Sequence, residues 1–320
     1  MPEYILSITI PIYNEEGNIS ALHHELEKLK LKFSREFSTN DRLQIIFVND
    51  GSVDSSFSLL KTICENNEDY FLINLSRNFG HQLAVSAGLS FGSGAFHALM
   101  DGDLQDPPEL ILDLYKKCLL GNDVVYAKRK TRTKETYFKL LSARLFYRLL
   151  KRITKIEIPV DTGDFRVMSA RVVNHLKQMP EMHRFIRGMV SWVGYKQTYV
   201  EYDRLERYSG QTKYPLSKMI KFALDGVTSF STVPLKLTNL LGYLYAFFAL
   251  LYAAYIIYLK VFTDQLVQGW AGIIVLVCIT GSIQFILLGI LGEYVGRIYE
   301  ESKGRPNFII ENVYSKPSSS

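Results

Sequence analysis

Cysteine is scarce in this chain: three in 320 residues, at Cys64, Cys118 and Cys278. The number is odd and the spacing wide, so neither a disulfide framework nor a cysteine metal site is expected. Reduced thiols suit a chain whose soluble part faces the cytosol. Histidine is almost as thin, with six residues and one adjacent pair, His23-His24. That pair lies in a charge-rich helical stretch and reads as a solvated face rather than a zinc site. Met1-Pro2-Glu3 lacks a basic residue and the apolar run to Ile12 is short, so no signal peptide is expected. From Lys128 to Lys155 acid is nearly missing: Glu135 stands against eleven Lys or Arg. Residues 237–259 and 265–292 carry no charge of either sign.

Those two uncharged runs each exceed the roughly 20 residues that cross a bilayer. Lys218, Lys221 and Lys236 precede them, and Arg297, Lys303 and Arg305 follow. The bias toward basic residues on the cytosolic side puts both termini and the large domain in the cytosol, at the inner (plasma) membrane. The basic stretch contains Phe138, Leu141, Leu145 and Leu149 at helical spacing, so 137–153 reads as an amphipathic helix in the membrane interface. The alternative is a helix packed on the domain with a basic outer face. Residues 215–230 form a second interfacial candidate. A basic stretch can also mark nucleic-acid binding, but that leaves the membrane runs unexplained. The expected partition is a cytosolic domain at 1–232, a two-helix membrane domain at 233–297 and a cytosolic tail at 298–320, disordered after Pro306.

Before residue 128 apolar strand-like runs alternate with amphipathic ones. Strands are expected at 4–12, 43–48, 70–75, 95–101 and 123–127, and helices at 19–31, 55–65, 81–91 and 109–119. Such alternation implies an α/β domain with a mainly parallel, Rossmann-like sheet. Ligands in such sheets bind beyond the carboxyl ends of the strands. The polar turns fall there: Tyr13-Asn14-Glu15, Asn49-Asp50-Gly51-Ser52, Ser76-Arg77-Asn78 and Asp101-Gly102-Asp103. In the last, two carboxylates one residue apart converge if the backbone stays extended. Hard oxygen ligands at a strand end suit Mg²⁺ or Mn²⁺ held jointly with phosphates.

These motifs, with Pro11-Ile12-Tyr13-Asn14-Glu15-Glu16, Ser76-Arg77-Asn78-Phe79-Gly80-His81-Gln82 and Asp101-Gly102-Asp103-Leu104-Gln105-Asp106-Pro107-Pro108, resemble family 2 glycosyltransferases. The subgroup is the polyisoprenyl-phosphate glycosyltransferases, which includes dolichol-phosphate mannose synthases. The two membrane runs and Glu301-Ser302-Lys303-Gly304-Arg305-Pro306 are most similar to the bactoprenol (undecaprenyl) phosphate glucosyltransferases. The resemblance implies a GT-A fold followed by two C-terminal transmembrane helices. It implies sugar transfer, from UDP-glucose as the expected donor, to polyprenyl phosphate. Alternative donors are GDP-mannose, UDP-GlcNAc or an aminoarabinose type, and the alternative role is an inactive membrane scaffold. A processive polysaccharide synthase is disfavoured, because no Gln-x-x-Arg-Trp motif is present.

By the same resemblance, Pro11, Tyr13, Glu15 and Asp50 lie near the base and ribose. Arg77 faces either the uracil or the diphosphate. Asp101, Asp103 and Gln105 form the metal shell for Mg²⁺ or Mn²⁺. Asp50 reads alternatively as a turn or helix cap. Asp164, in Asp161-Thr162-Gly163-Asp164-Phe165-Arg166, is the candidate general base beside the sugar. It reads alternatively as the cap of a following helix. A phosphate acceptor, with its second pKa of about 6, needs little deprotonation. Arg207 and Lys213 resemble a mobile loop that clamps the diphosphate. Arg129, Lys139 and Ser142 are the candidates for the acceptor phosphate, with Arg184 and Arg187 as further possibilities. Small residues from Gly281 to Gly296 permit close helix packing, so a homo-oligomer is expected.

Overall fold

The computed structural model describes residues 4–37, 42–130, 162–203, 233–262 and 270–316. The expected interfacial helices at 137–153 and 215–230 lie outside these residues. Strands β1 (Leu6–Ile12), β2 (Leu43–Asn49), β3 (Tyr70–Leu75) and β4 (Phe96–Leu99) alternate with helices α1 (Glu16–Glu36), α2 (Ser56–Asn66) and α3 (His81–Phe91). Then come α4 (Leu110–Leu119), β5 (Val124–Arg129), β6 (Thr162–Ser169), α5 (Ala170–Gln178), α6 (Ile186–Val193) and β7 (Gln197–Tyr202). Two long helices, α7 (Val233–Phe262) and α8 (Trp270–Ser302), precede β8 (Ile310–Tyr314).

All eight strands join one sheet in the order β7-β5-β6-β4-β1-β2-β3-β8. The β3-β2-β1-β4 core is parallel. Its strands are buried on both faces, which is why 6–12 and 43–49 read as near-continuous apolar runs. Helix α3 lies so close to β1 that a Cβ at Gly88 would stand 2.2 Å from Thr9 Cγ2. Beyond β4 the sheet changes character, because β6 runs antiparallel to both β4 and β5.

Three expectations change. The strand expected over 95–101 ends at Leu99, and 101–106 form turns instead of extended chain. Gly102 sits against Ile12, where a Cβ would stand 2.4 Å from Ile12 Cδ1. Leu104 takes a φ of 56°, so the chain turns sharply between the two aspartates and Gln105. Asp164, read alternatively as a helix cap, lies within β6. The segment after Pro306 is ordered through residue 316 and adds β8 antiparallel to β3. Its polar, exposed pattern, Ile-Glu-Asn-Val-Tyr, gives no strand signal; the free edge of β3 supplies the pairing.

The chain divides into two compact units, 1–221 with 306–320, and 222–305. Within the second, stretches Thr238–Leu259 and Val275–Ser302 are long and apolar enough to cross a membrane. The second helix runs ten residues beyond the uncharged run that ends at Gly292, reaching Ser302, and pairs Arg297 with Glu293 at 2.9 Å.

Candidate active site

The carboxyl edge of the parallel core collects the polar turns, and their hydrogen bonds weave them together. Asn14 N–H donates to Ser52 Oγ, Val53 N–H to Asn14 Oδ1, and Glu15 N–H to Ser56 Oγ. Asn14 takes a φ of 54°, a left-handed turn that asparagine adopts more readily than most residues, and its amide oxygen is held by Val53 N–H. Gly51, with φ +66°, is needed twice over. A Cβ there would stand 2.5 Å from Asn78 N, so only glycine lets the 49–52 turn meet the 76–80 loop. Tyr13 is exposed and Pro11 lies buried in β1.

Asp50 is buried, and both its carboxylate oxygens accept backbone N–H groups, from Phe79 at 2.7 Å and Gly80 at 2.9 Å. It fixes the loop that presents Arg77, so its direct bond is to backbone rather than outward to a nucleoside. Burial raises its pKa, against the pull of those N–H donors. The exposed Arg77 guanidinium lies 4.1 Å from the centre of the Phe79 ring.

Asp103 is buried and its Oδ1 accepts Gln105 N–H at 3.1 Å, an Asx turn. Asp106, also buried, accepts the Tyr202 hydroxyl. Asp101 keeps about a third of its side chain open, at 32%. Its carboxyl is pushed up to about 6, by burial first and by the Asp164, Asp106 and Asp103 charges, against His81. The turn thus holds more negative charge than the nearby cations comfortably balance. Among the described residues, no three His, Cys, Asp or Glu side chains converge to hold a cation unaided. Two carboxylates, an amide and surplus charge fit a hard cation completed by substrate phosphate oxygens.

Asp164 is the hub. Arg187 Nε donates to its Oδ1 at 2.8 Å, and His81 Nε2 lies 3.1 Å from its Oδ2. Gln82 Nε2 adds a longer contact at 3.5 Å. Arg166, fully buried, donates to the Asp164 and Gly163 carbonyls at 2.9 Å and reaches Asp164 Oδ1 at 3.4 Å. Burial alone would raise the Asp164 pKa, but the Arg187 charge and the His81 hydrogen bond hold it well below the carboxylate range. A carboxylate held ionised this firmly is a poor proton acceptor. His81 also lies 3.8 Å from Asp101. Burial opposes its charge, yet the Asp164 hydrogen bond and the two carboxylates push it up to about 9. His81, at the start of α3, therefore links the two acidic motifs. It stands inside a recognised motif, but nothing in its spacing from residue 164 announces the contact. Arg187 reaches the same carboxylate from α6.

Arg129 ends β5, with its Nη2 at 3.6 Å from the position of a Gly163 Cβ, one residue from Asp164. Lys139, Ser142, Arg207 and Lys213 lie outside the described residues.

A mixed sheet with a parallel core, acidic turns at its carboxyl edge and an antiparallel strand carrying a further aspartate is a GT-A-like glycosyltransferase fold. A family model described as glycosyl transferase family 2 matches residues 7–177. An uncharacterized glycosyltransferase of Bacillus subtilis, YkcC, is 46% identical over 308 residues, covering 96% of this chain and 94% of that one. The bactoprenol glucosyl transferase of Shigella phage SfV is 38% identical over 313 residues, covering 97% and 99%. Among solved structures, glucosyl-3-phosphoglycerate synthase from Mycobacterium tuberculosis, in complex with Mn²⁺, UDP-glucose and phosphoglyceric acid, superposes with a TM-score of 0.45. It is 17% identical, with 70% of this chain and 78% of that one covered. The chain belongs to glycosyl transferase family 2 and is a glycosyltransferase.

Proposed function

We propose that the protein transfers glucose from UDP-glucose to polyprenyl phosphate at the cytosolic face of the membrane. The observation that carries this reading is the crowding of Asp101, Asp103, Asp106 and Asp164 at one sheet edge. It occurs in a chain with two helices long enough to span a bilayer. Near-full-length similarity to proteins named bactoprenol glucosyl transferase supports both the lipid acceptor and the sugar.

In this reading the uridine lies over Pro11, Tyr13 and Glu15, on turns held by Asp50, with Arg77 at the rim. A divalent cation, Mg²⁺ or Mn²⁺, bound by Asp101, Asp103 and Gln105 would neutralise charge on the departing diphosphate. Arg207 and Lys213 would close on the same group. Arg129, beside Gly163, receives the acceptor phosphate, and Lys139 and Ser142 are assigned to the same phosphate from the resemblance. The phosphate oxygen attacks the anomeric carbon in line, so an α-linked donor gives a β-linked product. Because that nucleophile is already ionised near neutral pH, Asp164 need not take a proton. Held ionised by Arg187 and His81, it instead orients a sugar hydroxyl or faces positive charge at the anomeric carbon.

Topology supports a two-pass anchor with both flanking segments on one side. Residues up to 203 and residues 306–316 belong to one folded unit sharing one sheet. A folded sheet cannot straddle a bilayer, so the chain crosses an even number of times between residues 203 and 306. Basic residues at both outer ends favour the cytosol.

The test is transfer by purified protein in detergent, given undecaprenyl phosphate, Mn²⁺ or Mg²⁺, and a panel of labelled UDP- and GDP-sugars. Lipid labelling from UDP-glucose, lost in Asp103→Ala, is expected. Labelling from another donor corrects the sugar. None from any donor overturns the enzyme reading for this acceptor.

A further inference from the structure

The strand that follows the second membrane helix reaches into the turns of the carboxyl edge. The β8 register pairs Asn74 with Asn312 but Leu75 with Ile310, so Glu311 is the extra residue of a β-bulge. Bulges redirect a side chain. Here the Glu311 carboxylate accepts Asn74 Nδ2 at 2.7 Å. Asn74 Oδ1 in turn accepts Asn49 Nδ2 at 2.7 Å, and Asn49 Oδ1 accepts Ser52 N–H at 3.3 Å. The Ser52 hydroxyl then receives Asn14 N–H. A second contact lies alongside, where Ser76 N–H donates to the Ile309 carbonyl at 3.0 Å, at the root of the Arg77 loop.

An amide side chain can face either way, because its oxygen and nitrogen have the same shape. A carboxylate can only accept. Glu311 therefore forces the Asn74 amide to present its nitrogen outward and its oxygen to Asn49. Asn49 must then present its own oxygen to Ser52. The acceptor at Glu311 and the obligate Ser52 N–H donor at the other end agree on one direction for both amides, so a donor in place of Glu311 would set the row against itself.

We propose that Glu311 is a positioning residue for the nucleotide-sugar donor, setting through Asn74 and Asn49 the turn that carries Asp50 and Ser52. The catalytic sheet is thus completed by chain that has first passed through the membrane unit. This rests on the reading of 11–15 and 49–52 as the nucleoside end of the site.

The test uses the full chain in detergent, with UDP binding by titration calorimetry in Mn²⁺ and donor kinetics from the transfer assay. Glu311→Lys places a donor where only an acceptor works. It is expected to weaken UDP binding and raise the donor KM about tenfold, with kcat within about twofold. Glu311→Gln retains an acceptor oxygen and is expected to restore wild-type binding. Val313→Thr, on the same exposed strand but outside the row, is expected to bind as wild type does. Should Glu311→Lys not fold, Glu311→Ala carries the test with an expected loss of about threefold. Unchanged UDP affinity in Glu311→Lys, or Glu311→Gln as weak as Glu311→Lys, overturns the inference alone. Wild-type protein that binds neither UDP nor GDP overturns the donor reading and this inference with it.

Discussion

At the amino ends of β1, β2 and β4 sit Ser7, Gln44 and His97, with Ser93 and Gly94 beside them; at the carboxyl edge sit Asp101, His81, Asp164 and Arg187. Both clusters are polar and each contains one histidine, but Ser7, Gln44 and His97 are buried, whereas at the carboxyl edge Asp164 is buried and His81, Asp101 and Arg187 are partly open. In the first, every bond is neutral: Ser7 Oγ donates to Gln44 Oε1 at 2.6 Å, and Gly94 N–H donates to Ser7 Oγ at 2.8 Å. Burial and the nearby Lys177 push His97 down to about 4, so it stays uncharged. In the second, ions alternate and His81 is pushed up to about 9. Polarity by itself therefore does not distinguish a site from a scaffold here. Opposed, crowded charge does, because only charge can meet a diphosphate and an ionised acceptor.

The comparison breaks most sharply at Asp164. Asp164→Ala leaves the fully buried Arg166 and the partly buried Arg187 without their carboxylate. Removing one partner of such a network costs about 3–5 kcal/mol. Denaturant unfolding of the full chain should show a loss of that order, together with transfer activity falling to background. A variant that is stable yet inactive would assign Asp164 to chemistry more than to cohesion.

The neutral cluster should reveal itself in acid. With His97 at about 4 in the fold and an ordinary value near 6.5 when unfolded, the unfolded chain binds its proton first. His97 thus leaves stability unchanged above about pH 6.5. It removes stability as pH falls below that, with the loss complete below about 4. The full difference is about 3 kcal/mol. Unfolding measured at pH 7 and at 4.5, wild type against His97→Gln, isolates this part from the other titrating groups. An acid loss equal in both proteins would refute the assignment.

Much of this contrast was legible in the sequence before residue 128 only. The alternation through residue 127 gave β1 to β5 and α1 to α4 within a few residues, because both-face burial writes itself as continuous apolar runs. The acidic turn was visible as residue types, but its shape was not. Gly102 against Ile12 and the left-handed Leu104 depend on contacts across the sheet. Strand β6 was missed because Thr-Gly-Asp-Phe-Arg-Val carries an aspartate and an arginine where apolar alternation would be sought. Both are buried, and Asp164 draws on partners that sequence spacing cannot link, His81 lying 83 residues away. Strand β8 stands where the sequence predicts disorder after Pro306, because a short exposed strand exists only by virtue of the edge it joins.

Asp50 tests the boundary between the two kinds of cluster, being a carboxylate at the charged edge whose two oxygens accept neutral backbone N–H groups. Asp50→Asn keeps its shape but turns an amide N–H₂ toward Phe79 N–H or Gly80 N–H, donor against donor. The expected cost is about 2 kcal/mol in unfolding free energy. Because the same N–H groups set the Arg77 loop, UDP affinity should fall as well. Unchanged affinity would separate the loop from the donor.

The smallest effect belongs to Ser7, and it is the cleanest check that the amino-end cluster is scaffold. Ser7→Ala removes the hydroxyl that gives to Gln44 Oε1 and receives from Gly94 N–H. Gln44 Oε1 keeps Ser93 N–H at 3.0 Å, so one acceptor stays satisfied. Gly94 N–H is the group left exposed to loss, and it sits where the chain enters β4. One neutral bond with a partly compensated partner is worth about 1 kcal/mol. The melting temperature should drop by a few degrees, in proportion to that cost. Neither kcat nor the donor KM should move, since Ser7 pairs with His97 at the far end of the strands whose other ends carry Asp50 and Asp101. A fall in kcat beyond the loss of folded protein would mean that the neutral cluster reaches the chemistry after all, and that charge alone does not mark the site.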